Sequence, residues 1–422
     1  MNVHPTIQRT PAETALIEAF NERVSLLPGD GSVAMRRDDA VETLKAGLPT
    51  RRVEAWHYTD LRRLLTSIPP HDETLKAEPV APLLEGSSVL PILNGIAAAA
   101  VPDVSGVIVQ RVSEKLGDGS FARALELQGL DDAVGALNSA FAADGWFLDI
   151  PERTTVEVPI ELQNVQAGGQ VHVRLPVRVG AGAKATIVER QTGDGAALVS
   201  SVGNLLVGDD AEVLYLIVQE HAGSTTHLAQ FNAQLGRNSK LTLFVMNAGG
   251  KLVRQEVRVS AAGEGSSFRL RGVNLLAGDT HTDVTMMLDH AAPHTDSTEV
   301  IRNVVTGRAR GVFQGQIKVA KGAQKTDAKM ACNTLLLSDE GEFSTKPELE
   351  IFADDVACGH GATMTEIDRN HLFYLMARGI DEKSARGLLV RAFLAEVIED
   401  LEDEAVVDAL EEKLAAWFAT HG

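Results

Sequence analysis

Four short stretches of this chain recur at a nearly constant interval, and that interval limits what the chain can fold into. Ala183-Lys184-Ala185-Thr186-Ile187 lines up with Ala211-Glu212-Val213-Leu214-Tyr215, Ser239-Lys240-Leu241-Thr242-Leu243 and Ser266-Ser267-Phe268-Arg269-Leu270, in steps of 28, 28 and 27. Each stretch follows a turn signal: Gly180-Ala181-Gly182, Gly208-Asp209-Asp210, Gly236-Arg237-Asn238 and Gly263-Glu264-Gly265. A second strand-like run falls about halfway through each period. A fixed period of this size marks stacked units that bury their apolar faces only against their neighbours. Two strand runs per period predict coils stacked as a parallel β-helix, with glycine at the tight corners. A β-sandwich with the same turn spacing is the competing arrangement. On the first reading Ala183, Ala211, Ser239 and Ser266 occupy equivalent places on successive coils.

The flanks have a different period. Thr10, Pro11 and Glu13 supply an N-cap hydroxyl, a proline at the first helical position and the glutamate of a capping box. Leu16, Ile17, Phe20 and Val24 follow at helical spacing, and Val41, Leu44 and Leu48 mark a second helix. Residues 1–65 therefore read as an N-terminal helical region, and 66–149, rich in prolines and glycines, as an irregular mixed connecting region. The β-helix core is expected over 150–360. Helical spacing returns in 361–422, where Asp368 and Asp381 are placed to cap helices and Gly379 to end one. Ala385, Leu388, Leu389, Ala392, Phe393, Val397 and Leu401 form an apolar stripe, and Val406, Leu410, Leu414, Trp417 and Phe418 mark a last helix. Residues 381–422 hold 11 acidic and 4 basic side chains, an acidic helical cap.

Charge and cysteine usage exclude several functions. With 39 Lys and Arg against 58 Asp and Glu the net charge is −19, which repels a phosphate backbone, so nucleic acid is not an expected partner. Residues 1–14 have no apolar h-region, and the longest uncharged stretch, 86–102, is broken by Pro91, Asn94, Gly95 and Pro102, so neither export nor a membrane is expected. Cys332 and Cys358 are the only cysteines, too few for a disulfide framework, which points to the cytoplasm.

Motifs for catalysis are missing. The single Gly-Lys pair, Gly250-Lys251, lacks the upstream glycine and the following Ser or Thr of a phosphate-binding loop, so the chain is not expected to hydrolyse ATP itself. No Gly-x-Ser-x-Gly or His-Glu-x-x-His occurs. His290 and His294 are separated by Pro293, which breaks the helix that would bring them onto one metal, and read as a surface turn. The arginines of 51–63 alternate with Glu54 and Asp60, the pattern of a solvated or ion-paired helix face, and Trp56 and Tyr58 read as packing residues. One cluster has ligand chemistry: Asp354-Asp355-Val356-Ala357-Cys358-Gly359-His360-Gly361. In an extended segment Cys358 and His360 project to one face, a thiol and an imidazole suited to iron, zinc or copper. Cys332 lies upstream of Cys358 by close to one solenoid period, which places it on a neighbouring rung. An iron–sulfur cluster commonly takes four ligands, so a cluster here needs ligands from a partner or a second subunit. The alternative is that Cys358 is a small buried hydrophobe and His360 a hydrogen-bonded turn residue.

The segments Lys325-Thr326-Asp327-Ala328-Lys329-Met330, Thr345-Lys346-Pro347-Glu348-Leu349-Glu350-Ile351-Phe352-Ala353-Asp354-Asp355-Val356 and Cys358-Gly359-His360-Gly361-Ala362-Thr363 fall in order without gaps. With Phe373-Tyr374-Leu375, Arg378-Gly379-Ile380 and the upstream Arg52-Val53-Glu54-Ala55-Trp56-His57-Tyr58-Thr59-Asp60-Leu61, they resemble the SufB/SufD family of iron–sulfur cluster assembly scaffolds, and its SufD branch in particular. Cys332 stands where the SufD branch often has a non-thiol residue and the SufB branch a cysteine. The resemblance implies a mainly β fold, a right-handed parallel β-helix flanked by helical regions. It implies a non-catalytic scaffold that pairs with a SufB-like paralogue through the end of the β-helix, or with itself as a homodimer in isolation, and that carries a SufC-like ATPase on its C-terminal helices, where Leu388, Ala392 and Phe393 are the expected contacts. It also implies no permanently bound cofactor, but a transient iron–sulfur cluster at a shared interface to which His360, Cys358 and Cys332 contribute. The competing functions are a β-helical carbohydrate-active enzyme, which needs paired carboxylates and aromatic sugar platforms, and a metal-free structural β-helix homodimer.

Overall fold

The computed structural model describes residues 9–129 and 131–421; Met1–Gln8 of the expected N-terminal region, Leu130 of the connecting region and Gly422 lie outside the described residues. The chain opens with helices α1 (Pro11–Arg23), α2 (Gly31–Lys45) and the short α3 (Leu61–Leu64). The capping box at Thr10 forms as expected: Glu13 N donates to Thr10 Oγ1 (3.2 Å) and Thr10 N to Glu13 Oε2 (2.7 Å). Within 66–149 the chain forms β1 (Ser88–Leu93), β2 (Ile96–Ala97), β3 (Ile108–Arg111), α4 (Val112–Gly117), α5 (Ala133–Phe141) and β4 (Asp144–Ile150). The repeat region follows as β5 (Ile160–Gln166), β6 (Gly169–Val179), β7 (Lys184–Gly193), β8 (Ala197–Val207), β9 (Glu212–His221), β10 (Thr226–Leu235), β11 (Lys240–Asn247) and β12 (Leu252–Ala261). It continues as β13 (Ser267–Leu276), β14 (His281–His290), β15 (Asp296–Val305), β16 (Arg310–Val319), β17 (Asp327–Leu336), β18 (Glu342–Ile351) and β19 (Ala357–Thr365). Helices α6 (Arg369–Ala377), α7 (Glu382–Glu399) and α8 (Glu404–His421) close the chain.

From β4 onward odd and even strands separate into two sheets, β19-β17-β15-β13-β11-β9-β7-β5-β1-β2 and β18-β16-β14-β12-β10-β8-β6-β4-β3. Every pairing from β5 onward is parallel, so the chain is a β-solenoid and not a sandwich. Lys184, Glu212, Lys240 and Ser267 are in lateral register. Glu212 N donates to Ala183 O (2.9 Å), Lys240 N to Ala211 O (2.8 Å) and Ser267 N to Ser239 O (2.9 Å), so the four expected equivalents do stack. The corner glycines are a steric requirement: a Cβ on Gly236 would lie 2.8 Å from Asp209 N and 2.9 Å from the Gly208 carbonyl carbon. Beyond Ser267 the register partners Asp296, Asp327 and Ala357 follow at wider intervals, because the corners lengthen from Gly236–Ser239 to the longer turn at 320–326.

Alternate side chains of each strand enter the lumen. Ile187, Tyr215, Val245, Phe268, Phe313 and Met330 belong to its apolar core. Beside them runs a column of amides, Asn164, Gln191, Gln219, Asn247, Asn274 and Asn303, each in register with the next. Asn247 Nδ2 donates to Asn274 Oδ1 and Asn274 Nδ2 to Asn303 Oδ1, both at 2.8 Å. Where it is continuous such a ladder satisfies buried amides along the stacking direction and penalises slipped registers, but Gln219 interrupts it, its side-chain amide buried without a partner.

Over the middle coils the outer faces of both sheets are also covered, so strands such as β6, β8 and β12 are buried along nearly their whole length. Val390, Leu394, Val397, Ile398, Leu410 and Leu414 of α7 and α8 pack on Leu216, Phe244, Val273, Val304 and Leu335 of the first sheet. Leu16, Phe20, Leu44, Trp56, Leu137 and Phe141 pack on Leu198, Leu228 and Leu252 of the second. The expected helical face over 51–63 is a strap instead: turns, a single 3₁₀ turn (Glu54–Trp56) and α3 lie across the second sheet. Arg254, fully buried, holds it, pairing with Asp283 (2.6 Å) and Glu256 (3.1 Å), donating to Ala55 O (2.8 Å) and stacking on Trp56 (4.1 Å). His290 also departs from its expected surface turn: it ends β14 facing inward, buried, with Thr295 Oγ1 at 2.8 Å and Ser297 Oγ at 3.2 Å, whereas His294 is exposed at φ 57°.

Candidate functional site

The solenoid ends at a coil made of β18 and β19, each the last strand of its sheet. Ala357 N donates to Thr326 O (2.9 Å), so the alternation of a parallel ladder turns the N–H groups of Cys358, His360, Ala362 and Met364 toward the open edge. The two edges differ. Strand β18 carries Lys346, Pro347, Glu348 and Glu350, the charges and proline that block strand addition. Strand β19, Ala-Cys-Gly-His-Gly-Ala-Thr-Met-Thr, has neither a charge nor a proline along its length.

The expected ligands gather at this mouth. Cys358 pairs in register with Ala328, His360 with Met330 and Ala362 with Cys332, so Cys358, His360 and Cys332 share the inward-facing parity. The two thiols lie on neighbouring rungs as expected, but Ala362, not Cys358, is the register partner of Cys332. Cys332 and Cys358 are on adjacent strands but offset along them, with roughly 14 Å between Cα atoms. His360 falls between them, about 8 Å from Cys332 on the same reckoning. Exposure grades along the set: Cys332 is buried, Cys358 half-buried and His360 exposed. Burial pushes the Cys332 thiol up to about 11, against the donation from Asn303 Nδ2 at 3.3 Å, and burial also raises the Cys358 thiol. Neither thiol is therefore an activated nucleophile in the isolated chain. Among the described residues no three His, Cys, Asp or Glu side chains come together as a metal-binding group.

Sequence reasoning passed over Glu299. It projects into the lumen from β15, in register with Met330 and hence two rungs beneath His360, buried with neither carboxylate oxygen hydrogen-bonded. Desolvation raises its carboxyl to about 8. Only the parity of the strand signals this position, on a coil whose spacing departs from the regular repeat.

The residues expected to contact a partner divide. On α7 the apolar positions form two stripes, and the one at Val390, Leu394, Val397 and Ile398 faces the sheet. Leu388 (48% exposed) and Ala392 face outward, lining with Arg391 and Ala409 a groove of about 1000 Å³ closed by Leu83, Leu84 and Pro159. Phe393 turns toward the sheet, half-buried under the Arg302 guanidinium at 5.3 Å. On α6, Phe373, Tyr374 and Met376 are exposed.

The sequence is similar to those of known proteins. A family model described as SUF system FeS cluster assembly, SufBD core domain, matches residues 162–393, from β5 into α7. The iron–sulfur cluster assembly protein SufD of Escherichia coli is 29% identical over 381 residues, 86% of this chain and 88% of that protein. A SufBD family iron–sulfur cluster assembly protein of Synechocystis is 30% identical over 283 residues, 63% of this chain and 62% of its own length. The chloroplastic protein ABCI7 of Arabidopsis thaliana is 27% identical over 441 residues, 94% of this chain and 89% of the relative.

Proposed function

Because the chain belongs to the SufBD family of iron–sulfur cluster assembly proteins, we propose that it is a non-catalytic scaffold subunit of the SufD type, completed by partners at two faces. The observation that carries this reading is the asymmetry of the last coil. A long, uncharged edge strand is a standing aggregation hazard unless a second chain covers it, and β19 bears the chain's one pairing of thiol and imidazole on that same strand. A SufB-like paralogue adding strands at β19 would bring further ligands to Cys358, His360 and Cys332, which alone are too few and too far apart. Bound iron would favour the thiolates over the raised thiols, so the site loads only where metal and partner meet. A neutral imidazole ligates iron beside thiolates, which suits His360 as the exposed member.

The second face is the outward stripe of α7 with its groove. Leu388 and Ala392 with Arg391 form an apolar surface bordered by Asp403, Asp408, Glu411 and Glu412, where we place the SufC-like ATPase. ATP hydrolysis resides in that partner. Two unpaired cysteines fit a reducing compartment, and we assign the chain to the cytoplasm.

The test is co-purification followed by anaerobic iron and sulfide reconstitution. Ala362→Pro removes one edge-facing N–H while leaving the N–H groups that pair with β17. It is expected to abolish binding of the paralogue, and cluster formation with it, while the solenoid still folds. Undiminished paralogue binding by Ala362→Pro overturns the β19 assignment. A wild-type chain that self-associates through β19 and never binds the paralogue replaces the heterocomplex with a homodimer.

A further inference from the structure

Far from the mouth, at the first coil, a cavity of about 480 Å³ lies between α1, residues 71–77 and the β1–β2 turn. Its walls set Leu27, Leu75, Leu93 and Ile96 beside polar side chains, three of which keep a buried polar atom without a partner: Arg23, Gln170 (Oε1) and His172. Arg23 comes from the last turn of α1 and sits over the Phe141 ring at 5.6 Å. Its Nη1 is buried without a hydrogen-bond partner, and among the described residues the guanidinium forms no ion pair. His172 is 3% exposed; Ser200 Oγ meets its Nδ1 at 2.8 Å, while Nε2 is buried and unpartnered. The rim carries both signs, Asp72 and Glu73 against His71 and Lys76. Glu73, solvent-exposed beside His71 at 3.7 Å, acts on Arg23 only from a distance. A half-buried cation without a contacting counter-ion is costly, and this one stands in a chain whose net charge is −19, where acidic partners were plentiful. Burial already lowers the Arg23 pKa from its ordinary value, the sign of a charge in need of a partner.

We propose that this cavity binds a small organic carboxylate, its head paired with the Arg23 guanidinium and its apolar body against Leu27, Leu75, Leu93 and Ile96. A bidentate guanidinium accepts a carboxylate in plane, and an apolar wall selects an acid with a hydrocarbon body over a bare inorganic anion. The site is independent of the assembly role proposed above, which requires nothing at this end of the solenoid.

The probes are hexanoate, 1-hexanol and inorganic phosphate, titrated calorimetrically into the full chain at neutral pH. Hexanoate is expected to bind saturably at one site. Loss of the charge-assisted pair should weaken it by at least about tenfold in Arg23→Gln, and 1-hexanol should bind the wild type correspondingly less well. Leu26, 77% exposed at the edge of the cavity, provides a variant that leaves the fold intact: Leu26→Asp should weaken hexanoate several-fold with an unchanged melting temperature. If Arg23→Gln does not fold, Leu26→Asp decides. No saturable hexanoate binding, equal affinity in the charge variants, or tighter binding of phosphate than hexanoate overturns the proposal.

Discussion

Replacing Arg254 with methionine should unlatch residues 51–61 from the solenoid without unfolding it. The guanidinium is fully buried and serves Asp283, Glu256, Ala55 O and the Trp56 ring at once. Methionine keeps most of the volume but leaves Asp283, itself fully buried, with only the hydroxyls of Thr59 and Thr285. Removing one partner of a buried pair costs about 3–5 kcal/mol. The cost falls on whatever contact can open to hydrate the carboxylate, and that is the strap, because the opposite contact is the full-length parallel ladder of β12 and β14. At roughly 1.4 kcal/mol per decade, amides of 55–59 should exchange at least about a hundredfold faster, while those of β12 and β14 change little. Hydrogen exchange on the full chain measures both segments in one experiment. Adding Asp283→Asn to Arg254→Met should restore part of the protection, since no buried charge then remains. Protection at 55–59 within threefold of the wild type, or equal loss in strap and solenoid, would refute this reasoning.

Gly236→Ala should lower solenoid stability by about 1–3 kcal/mol, read as a lowered unfolding midpoint, because the new Cβ meets the backbone of the coil beneath it. Leu394→Ala should cost about 2–5 kcal/mol and expose the first sheet to a hydrophobic dye. The same burial rules out deletion of 381–422 as a test of ATPase docking, because it would strip the cover from Leu216, Phe244 and Val273; Leu388→Glu, on the exposed stripe, should instead abolish co-purification of the ATPase at unchanged melting temperature. For Glu299 the folded-state pKa of about 8 lies above its ordinary 4.5, so the folded chain holds the proton more tightly and stability falls as pH rises from 4.5 through 8. Glu299→Gln should therefore raise the melting temperature at pH 8.5 and lose that advantage near pH 4.5. His290, lowered to about 4 by burial, acts oppositely: its contribution is present above 6.5 and lost as pH falls toward 4, so His290→Gln should flatten acid denaturation in that window.

The repeat was legible where corners kept their length. Four coils shared the glycine-led turn and a step of 27 or 28, and those alone gave the parallel solenoid. The coils that matter most for the site were hidden by their own corners: the turns at 337–341 and 352–356 stretch the step from Asp327 to its partner Ala357 beyond that of the regular coils, so Cys332 could not be placed against Cys358 by counting. The shared face of Cys358 and His360 was legible from period 2 alone, and Glu299 was missed because its strand belongs to the lengthened part. On α7 periodicity found apolar residues but could not say which stripe meets the sheet, since both satisfy helical spacing. The strap at 51–61 looked helical because its charges alternate, whereas its backbone follows the carboxylates and arginine it meets on the second sheet, contacts remote in sequence.

The proposed cluster site is completed by a partner at the mouth of the solenoid, with His360 as this chain's main ligand. The measurement is the rate of cluster formation in anaerobically reconstituted complexes of the chain with its paralogue and ATPase, comparing wild type, His360→Ala, Cys358→Ser and Cys332→Ser. His360 is exposed, so its removal opens no core cavity, and the complex should form normally yet assemble clusters slowly. Cys358→Ser should do less, and Cys332→Ser should act chiefly through packing in the lumen. Clusters forming at the normal rate in His360→Ala complexes, while Cys332→Ser complexes fold and bind but form none, would contradict the account and make the buried thiol the ligand.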